Sequence, residues 1–305
     1  MKPVIFIAGP TASGKSAWAI KIAKKFGGEI INADALQVYK NLQILSARPA
    51  LSEMQDVPHH LFGHVSGETR YSTGQWLRDV QPVILDCLAR DKYPILTGGT
   101  GLYFKALLNG LAQIPEISSE VFEDINNRLK QFGVKRLREE AEQVDPIAAQ
   151  RVLGDDPQRL TRIVSVYTQT GKALSEWQAN TRPIVPKQFC LCAVLLPERT
   201  ALYDRINSRF GNMVNKGGLT EAEAVFSKNY DASLPVMKAI GVQQLHGYFN
   251  GKVSLDDAIE LAKRDTRRFA KRQYTWFRGQ ARDWTQITMP EQRKQFESLI
   301  NAASF

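Results

Sequence analysis

Eight consecutive residues near the amino terminus have the types and the spacing of a phosphate-binding loop. Residues 9–16 read GPTASGKS, which fits the pattern G-x-x-x-x-G-K-[ST]. Glycines allow successive backbone N–H groups to turn towards one phosphate, and the positive end of the following helix points at the same place. The side chain of Lys15 would reach the terminal phosphates, and the hydroxyl group of Ser16 would bind Mg²⁺. The predicted polyphosphate site consists of Gly9, Pro10, Thr11, Ala12, Ser13, Gly14, Lys15 and Ser16.

Asp34 is a candidate catalytic carboxylate. It follows residues 29–33, which are expected to form a strand, and ligands bind open parallel sheets at the carboxyl ends of their strands. Beside a phosphate loop, this carboxylate would act as a general base or as a partner of Mg²⁺. The alternative interpretation is that Asp34 only caps the next helix.

Thr100 belongs to a second glycine-rich turn, residues 98–101, directly after the predicted strand 94–97. Its hydroxyl group would either hydrogen-bond the reacting groups or cap the helix that follows. That strand ends without a carboxylate, whereas motor and switch NTPases usually place an aspartate there to hold Mg²⁺. The pattern therefore favours group transfer from a phosphorylated substrate over hydrolysis-driven work.

Residues 263–278 combine positive charge with aromatic rings, since KRDTRRFAKRQYTWFR has seven basic residues and one acidic residue. Arginine and lysine bind phosphates and aromatic rings stack on bases, as RNA recognition requires. The alternative is a helix with a packed aromatic face and solvated charges. Two arginine pairs, Arg159 with Arg162 and Arg205 with Arg209, share helical faces and would either clamp phosphates or lie on the surface.

The elements that must position these residues alternate between strands and helices. Residues 4–8 form an uninterrupted apolar run, which is typical of a parallel strand buried on both faces. The alternation predicts an α/β fold, namely a P-loop NTPase-like parallel sheet with helices on both faces. The other predicted strands are residues 29–33, 94–97 and 189–196, and the predicted helices are residues 16–26, 73–90, 102–108, 158–170, 199–214, 221–226 and 256–277.

Residues 115–156 differ in character from the rest of the chain. They are charged and helical in pattern and lack strand signals. We interpret them as a helical insertion domain. The catalytic core would then be discontinuous and consist of residues 1–114 and 157–305.

Composition excludes several classes of protein. The chain has 305 residues, 43% of them hydrophobic and 23% charged, which excludes disordered, collagen-like and coiled-coil proteins. No apolar run approaches the ~20 residues that span a bilayer, so no membrane partner is expected. Three cysteines without zinc-site spacing favour a reducing cytoplasm. The net charge of +9 suits a polyanionic partner, although a merely basic enzyme would also have it.

Several sequence segments, in order along the chain, are those of one enzyme family. They are GPTASGKS (9–16), DALQVYK (34–40), PHH (58–60), YS (71–72), GGTGLYFKALLNGL (98–111), DPQRLTR (156–162), TGK (170–172) and AKRQYTWFR (270–278). In these segments the chain resembles the bacterial tRNA isopentenyltransferase family, whose members are tRNA dimethylallyltransferases. Their combination is far more specific than the phosphate loop alone.

The resemblance implies transfer of a dimethylallyl group from dimethylallyl diphosphate to N6 of the adenosine on the 3′ side of the tRNA anticodon. It implies that residues 11–16 cradle the diphosphate, that Lys15 and Arg209 neutralise it, and that Mg²⁺ bound by Ser16 is the cofactor. Asp34 would take the N6 proton and Thr100 would position the reacting groups. The partners would be dimethylallyl diphosphate and the anticodon stem-loop of tRNA, which the insertion would also contact. The enzyme would be a monomer in the cytoplasm. The expected tRNA-binding residues are Asp34, Ala35, Leu36, Gln37, Gln158, Arg159, Leu160, Thr161, Arg162, Lys271, Arg272 and Gln273.

The chain departs from the family pattern at three places. Ala35 stands where the family usually has serine, residues 44–49 read ILSARP in place of an IGTAKP-like segment, and Val242 follows Gly241 where tyrosine is common. These differences concern contacts to the substrate and not the reaction. Two other functions would explain part of the sequence. One is a small-molecule kinase that uses ATP at the same loop, and the other is a non-enzymatic RNA-binding protein with an idle nucleotide site.

Overall fold

The predicted phosphate loop follows the first strand of a parallel β-sheet. The structure is a computed structural model and describes residues 2–303. The strands are β1 (Val4–Ala8), β2 (Gly28–Asn32), β3 (His59–His60), β4 (Tyr93–Gly98), β5 (Cys190–Leu195) and β6 (Thr285–Ile287). Within the described residues they form one six-stranded sheet in the order β3-β2-β4-β1-β5-β6, in which neighbouring strands are parallel. The predicted fold class is confirmed.

The chain divides into two compact units, the first made of Met1–Leu108 and Val185–Phe305 and the second of Asn109–Ile184. The first unit contains the sheet. Its helices are α1 (Lys15–Phe26), α2 (Leu51–Met54), α3 (Thr73–Ala89), α4 (Gly101–Asn109), α9 (Arg199–Met213), α10 (Leu219–Phe226), α11 (Val242–Phe249), α12 (Leu255–Gln280) and α13 (Pro290–Ala302). The helices of the second unit are α5 (Ser119–Val144), α6 (Pro146–Gln150), α7 (Pro157–Thr170) and α8 (Leu174–Ala179).

Both faces of β1 are covered, which explains its continuous apolar sequence. Successive side chains of a strand point to opposite faces. Ile5 and Ile7 pack in a core with Trp18 of α1 and Phe296 of α13, whose rings lie 5.5 Å apart. On the other face, the ring of Phe6 lies 5.5 Å from that of Phe104 in α4.

The strand register aligns the carboxyl ends of the three central strands. Ala8 of β1 is paired with Gly98 of β4, and Asn32 of β2 is paired with Thr97. The three segments that follow these strands therefore begin side by side at one edge of the sheet. Residues 9–16, 33–36 and 98–101 meet there, as the sequence predicted.

The second unit is wider than the predicted insertion, which was placed at residues 115–156. The reason is that α7 does not return to the sheet. Its apolar face, with Leu160 and Ile163, packs in one core with Ile125 and Leu137 of α5, and α8 joins the same cluster through Leu174. Burial therefore assigns α7 and α8 to the inserted unit and moves its end from 156 to Ile184.

The described part of the chain, residues 2–303, has no helix with the length and hydropathy needed to cross a membrane.

Candidate active site

Two glycines allow the phosphate loop to adopt its backbone conformation and to lie close to β5. Gly14 adopts a left-handed conformation, with φ 86°, directly before the first residue of α1. Gly9 lies so close to β5 that an added Cβ would be 2.8 Å from the carbonyl oxygen of Leu195. Only residues without a side chain fit both positions. The hydroxyl group of Ser13 is buried inside the loop and has no hydrogen-bond partner among the described residues 2–303.

Two cationic side chains lie at this loop in a desolvated environment. Lys15 donates a hydrogen bond to the carbonyl oxygen of Pro10 at 3.2 Å, and Arg209 of α9 donates one to the hydroxyl group of Thr11. Burial lowers the pKa of Lys15 to about 8; the Asp34 carboxylate opposes this effect and Arg209 adds to it. Burial also lowers the pKa of Arg209, again against the effect of Asp34. Two cations facing one carboxylate leave positive charge that a bound anion would compensate.

Asp34 is fixed by a local turn that leaves one of its oxygens available. Its backbone N–H donates to Asn32 Oδ1 at 2.9 Å, and its Oδ1 accepts the N–H of Leu36 at 3.0 Å. The other oxygen, Oδ2, accepts no hydrogen bond from any residue in the range 2–303. The carboxylate lines a cavity together with Thr11 and Arg209. Asp34 closes a turn through Oδ1 and caps no helix of the described chain, because the next helix begins only at Leu51.

The second glycine-rich turn fastens itself to the segment of Asp34. Thr100 donates its N–H to the carbonyl oxygen of Ala33 at 3.2 Å, and its hydroxyl oxygen accepts the N–H of Ala35 at 3.0 Å. A Cβ on Gly98 would lie 1.9 Å from the carbonyl oxygen of Ala33, so glycine is required there. Thr100 thus stands beside the predicted base and orients its backbone.

The cavity beside Asp34 has an apolar wall that the sequence reasoning did not identify. On α9, Ile206, Phe210 and Met213 follow the spacing of one helical face, which Arg209 shares. The helical spacing of these apolar residues around Arg209 is the sequence pattern that could have predicted the wall. The lining residues are Thr11, Asp34, Leu36, Leu45, Ser46, Ile206, Arg209, Phe210, Met213, Ile240, Thr266 and Phe269.

Glu221 of α10 holds the loop that carries two of these lining residues. Its carboxylate accepts the backbone N–H groups of Gln43, Ile44 and Leu45 at 2.7, 2.8 and 2.8 Å. The amide nitrogen of Gln37 donates to two carbonyl oxygens of the same loop, both at 3.0 Å. The segment that departs from the family pattern, residues 44–49, therefore has a defined conformation at the cavity.

Helix α12 presents its basic residues outwards. Arg268, Lys271, Arg272 and Thr275 are exposed or half-exposed and line a second, open cavity together with Trp276. On the inner side Ala270, Gln273 and Phe277 are buried. Aromatic packing and an exposed basic surface, proposed as alternatives from the sequence, occupy different faces of one helix.

Gln273 belongs to that inner side and not to the RNA-facing surface predicted for it. It is 6% exposed. Its Oε1 accepts the N–H of Thr11 at 2.8 Å, and its Nε2 donates to the carbonyl oxygen of Gly99 at 2.9 Å. Both polar ends of the amide are bound within the protein, so the prediction of a tRNA contact was wrong for this side chain.

A cluster of metal-ligating side chain types lies at β2, away from the phosphate loop. Glu29 accepts a hydrogen bond from His60 Nε2 at 2.7 Å and from the thiol of Cys87 at 3.6 Å. Arg90 donates to both carboxylate oxygens, at 2.5 and 2.8 Å, and these hydrogen bonds contribute most to lowering the pKa of Glu29 to about 2. Burial raises the pKa of Cys87 to about 12, so the thiol keeps its proton. Both oxygens of the Glu29 carboxylate are thus engaged in an ion pair with the half-exposed Arg90.

The sequence is similar to one family over most of its length. Residues 37–280 match the family described as IPP transferase, and residues 2–61 match the family described as isopentenyl transferase. The chain belongs to the IPP transferase family. Proteins named tRNA dimethylallyltransferase from Maricaulis maris and Hyphomonas neptunium are 47% and 44% identical to it, over 94% and 95% of this chain and 93% and 92% of theirs.

Solved structures of IPP transferases have the same fold. The full-length tRNA isopentenylpyrophosphate transferase from Bacillus halodurans is 29% identical, with a TM-score of 0.70 over 99% of this chain and 97% of its own. A eukaryotic dimethylallyltransferase acting on tRNA is 30% identical, with a TM-score of 0.78 over 91% of this chain and 70% of its own.

The structure brings together the predicted catalytic residues of this IPP transferase. Lys15, Asp34, Thr100 and Arg209 come together at the carboxyl edge of the sheet with the phosphate loop. Arg205, predicted as a possible partner of Arg209, is exposed and does not line the cavity.

Helix α7 of the second unit separates its five predicted tRNA-binding residues by face. Gln158, Arg159 and Arg162 are exposed, whereas Leu160 and Thr161 are 0% and 5% exposed in the core of the unit. Both side chains were predicted to contact tRNA, but both are buried, and that of Leu160 packs in the core shared with α5.

Proposed function

We propose that the protein transfers a dimethylallyl group from dimethylallyl diphosphate to N6 of the adenosine on the 3′ side of the anticodon in tRNA. Relatives named tRNA dimethylallyltransferase support prenyl transfer to tRNA. The observation that carries the proposal is one cavity lined by Arg209, Asp34 and an apolar wall, with the cation Lys15 beside it. An anionic leaving group, a proton acceptor and an apolar prenyl group each find a complementary surface there.

The diphosphate would bind where the buried cations lie. Backbone N–H groups of the loop, Lys15 and Arg209 stabilise the negative charge that develops on the departing diphosphate as the allylic C–O bond breaks. Their desolvation strengthens this effect, since charges interact more strongly where water is excluded. The hydroxyl group of Thr11, which already accepts a hydrogen bond from Arg209, lies between the loop and the cavity.

The exocyclic amine of adenine needs help as a nucleophile, because its lone pair is delocalised into the ring. Oδ2 of Asp34 would accept the N6 proton as the new C–N bond forms. The balance is then complete: the C–O bond breaks, diphosphate leaves, the C–N bond forms and the proton moves to the carboxylate. Thr100 keeps this base in place through the N–H of Ala35.

The residues present fit a magnesium ion. Ser16 is exposed at the start of α1, so its hydroxyl group offers a hard oxygen ligand beside the phosphate loop. Ser16, with the diphosphate oxygens, would hold the ion, which when bound supplies further positive charge to the leaving group.

The apolar wall would protect the reaction from water. An allylic cation reacts readily with water, and side chains such as Phe210, Met213 and Phe269 exclude it from the space beside Asp34. The same wall gives a surface for the prenyl methyl groups.

RNA binding would use the exposed basic residues. Lys271 and Arg272 lie on the outer face of α12, and Arg159 and Arg162 are exposed on the inserted unit, which we propose also contacts tRNA. The adenosine must leave its stack to reach Asp34, at a cost of a few kcal/mol. An anticodon loop is already partly unstacked, which lowers this cost.

The test is transfer of label from radioactive dimethylallyl diphosphate into tRNA in the presence of Mg²⁺. Asp34→Asn keeps a side-chain oxygen that can accept the N–H of Leu36 but removes the base, so we expect a loss of about 10²- to 10⁴-fold in kcat. Diphosphate binding should be retained, because Lys15 and Arg209 are unchanged. Undiminished transfer by Asp34→Asn would refute the assigned base, and phosphate transfer from ATP to a small molecule would favour a kinase.

A further inference from the structure

One buried amide joins the two loops that frame the candidate site. Gln273 accepts a hydrogen bond from the N–H of Thr11 in the phosphate loop and donates one to the carbonyl oxygen of Gly99 in the second turn. Such a bridge needs one acceptor and one donor on the same group. The side-chain amides of asparagine and glutamine provide both without a charge. Glutamine is the longer of the two.

The packing around Gln273 leaves little freedom. A Cβ on Gly99 would lie 2.2 Å from Gln273 Nε2, and a Cβ on Gly101 would lie 2.3 Å from the ring of Trp276. Residues 273 and 276 are neighbours on one face of α12. The helix therefore rests directly on the second turn at two points.

The same turn holds the segment of the candidate base on its other side. Thr100 accepts the N–H of Ala35 and donates its own N–H to Ala33, the residues that flank Asp34. A continuous path runs from Thr11, which Arg209 contacts, through Gln273 and the turn to Asp34. Within this path the amide of Gln273 is the link between the diphosphate side and the proton-acceptor side.

We propose that Gln273 is a positioning residue for the reaction, which sets the location of the phosphate loop relative to Asp34. This inference rests on the proposed function. Gln273 binds the backbone N–H of Thr11, which lines the cavity together with Arg209 and accepts a hydrogen bond from it. A displacement of about 1 Å between reacting groups can lower a rate by 10²-fold, so a fixed separation matters for catalysis.

The arrangement also places RNA recognition and site geometry on one helix. Lys271 and Arg272 are exposed next to the buried Gln273. RNA that binds this outer face is held by the same rigid element that fixes the phosphate loop.

Gln273→Met tests the bridge, because methionine has a similar length and removes both hydrogen bonds. We expect kcat to fall by about 10- to 100-fold and the KM for dimethylallyl diphosphate to rise, whereas the Kd for tRNA stays within about twofold because the outer face is unchanged. Gln280→Met is the matched control, since Gln280 is exposed near the end of the same helix and its side chain accepts a hydrogen bond from the exposed Lys105. This variant should behave as the wild-type protein.

Gln273→Glu supplies a readout that a merely structural role would not move. A protonated carboxyl group accepts and donates as the amide does, whereas a carboxylate cannot donate to Gly99. Activity of this variant, divided by that of the wild-type protein at the same pH, should therefore rise as the pH falls. The variant also keeps the side-chain volume if Gln273→Met folds poorly, and the midpoint of thermal unfolding is recorded for each protein.

The outcomes separate the two proposals. Absence of label transfer by the wild-type protein would refute the proposed function itself. Transfer by the wild-type protein together with unchanged kcat and KM in Gln273→Met would overturn the positioning role. The positioning role would also be overturned by another result for Gln273→Met: a loss of kcat in proportion to the loss of folded protein, with an unchanged KM, together with no rise in the relative activity of Gln273→Glu at low pH.

Discussion

Lys15 provides a prediction that follows from its burial. Without a ligand, burial holds its pKa at about 8, against 10.5 for an unperturbed lysine. A bound diphosphate would favour the charged form strongly, so binding should return the pKa towards its ordinary range. The difference corresponds to roughly 3 kcal/mol between the two protonation states. Diphosphate binding should therefore be coupled to the uptake of a proton.

The size of this uptake depends on pH in a defined way. With a pKa of about 8, the unliganded protein lacks the Lys15 proton in about 10% of molecules at pH 7, about half at pH 8 and about 90% at pH 9. Binding should take up the same fractions of a proton, and the affinity should fall nearly tenfold per pH unit above pH 8. The ligand contributes little, since a terminal phosphate with a second pKa near 6 is already ionised there.

Isothermal titration calorimetry in buffers with different ionisation enthalpies measures this uptake directly. Dimethylallyl diphosphate is titrated into the protein without tRNA at pH 7, 8 and 9. Lys15→Arg is the control, because arginine stays charged throughout this range and should show no uptake and little pH dependence. An uptake that is absent at pH 9, or equal in the wild-type protein and in Lys15→Arg, would refute the argument from burial.

Three further changes have expected outcomes. Glu221→Ala leaves three backbone N–H groups without their acceptor and should lower the free energy of unfolding by about 1–3 kcal/mol, with weaker prenyl diphosphate binding; urea unfolding measures the first, and Glu221→Gln should lose less. Glu29, with a folded-state pKa of about 2 against 4.5 unfolded, contributes stability that is present above pH 4.5 and is lost as the pH falls towards 2. Arg90→Met should therefore move acid unfolding, followed by circular dichroism, to higher pH; an unchanged midpoint would contradict the ion pair. Lys271→Ala should weaken tRNA binding and reduce the slope of log K against log salt by about one, and an unchanged slope would remove Lys271 from the RNA surface.

The central sheet and its loops could be predicted from sequence because local patterns determine them. The apolar run of β1, the glycines of the phosphate loop and the position of Asp34 after β2 are each visible within a few residues. Strand β3 has only two residues and β6 has three, too few for a periodic pattern, and both were missed.

Errors at the candidate site arose where a family segment was taken as a whole. Leu160 and Thr161 share the segment of Arg159 and Arg162, but helical periodicity turns them into the core with Ile163. The residues of α12 at 270, 273 and 277 likewise repeat at the spacing of one helical face, and all are buried. Whether a side chain can contact a ligand depends on the face of the helix on which it lies, and not on the sequence motif to which it belongs.

The insertion's limits depended on contacts distant in sequence. Asp156 caps α7 by accepting the N–H groups of Gln158 and Arg159, close to the start of the predicted helix 158–170. A start signal gives no information about which core a helix joins. The packing of Leu160 against α5 determined that.

The pairing of β1 determines when the phosphate loop can form during synthesis. Ile5 is paired in register with Ile95 on one side and with Leu191 on the other. The second partner emerges from the ribosome only after the entire inserted unit, Asn109–Ile184, which forms a compact unit of its own. Helical units with local contacts fold quickly, whereas parallel strands far apart in the chain pair slowly. The first functional motif to be translated is therefore among the last parts of the molecule to acquire its shape, and a nascent chain that stops before β5 lacks one wall of its phosphate loop.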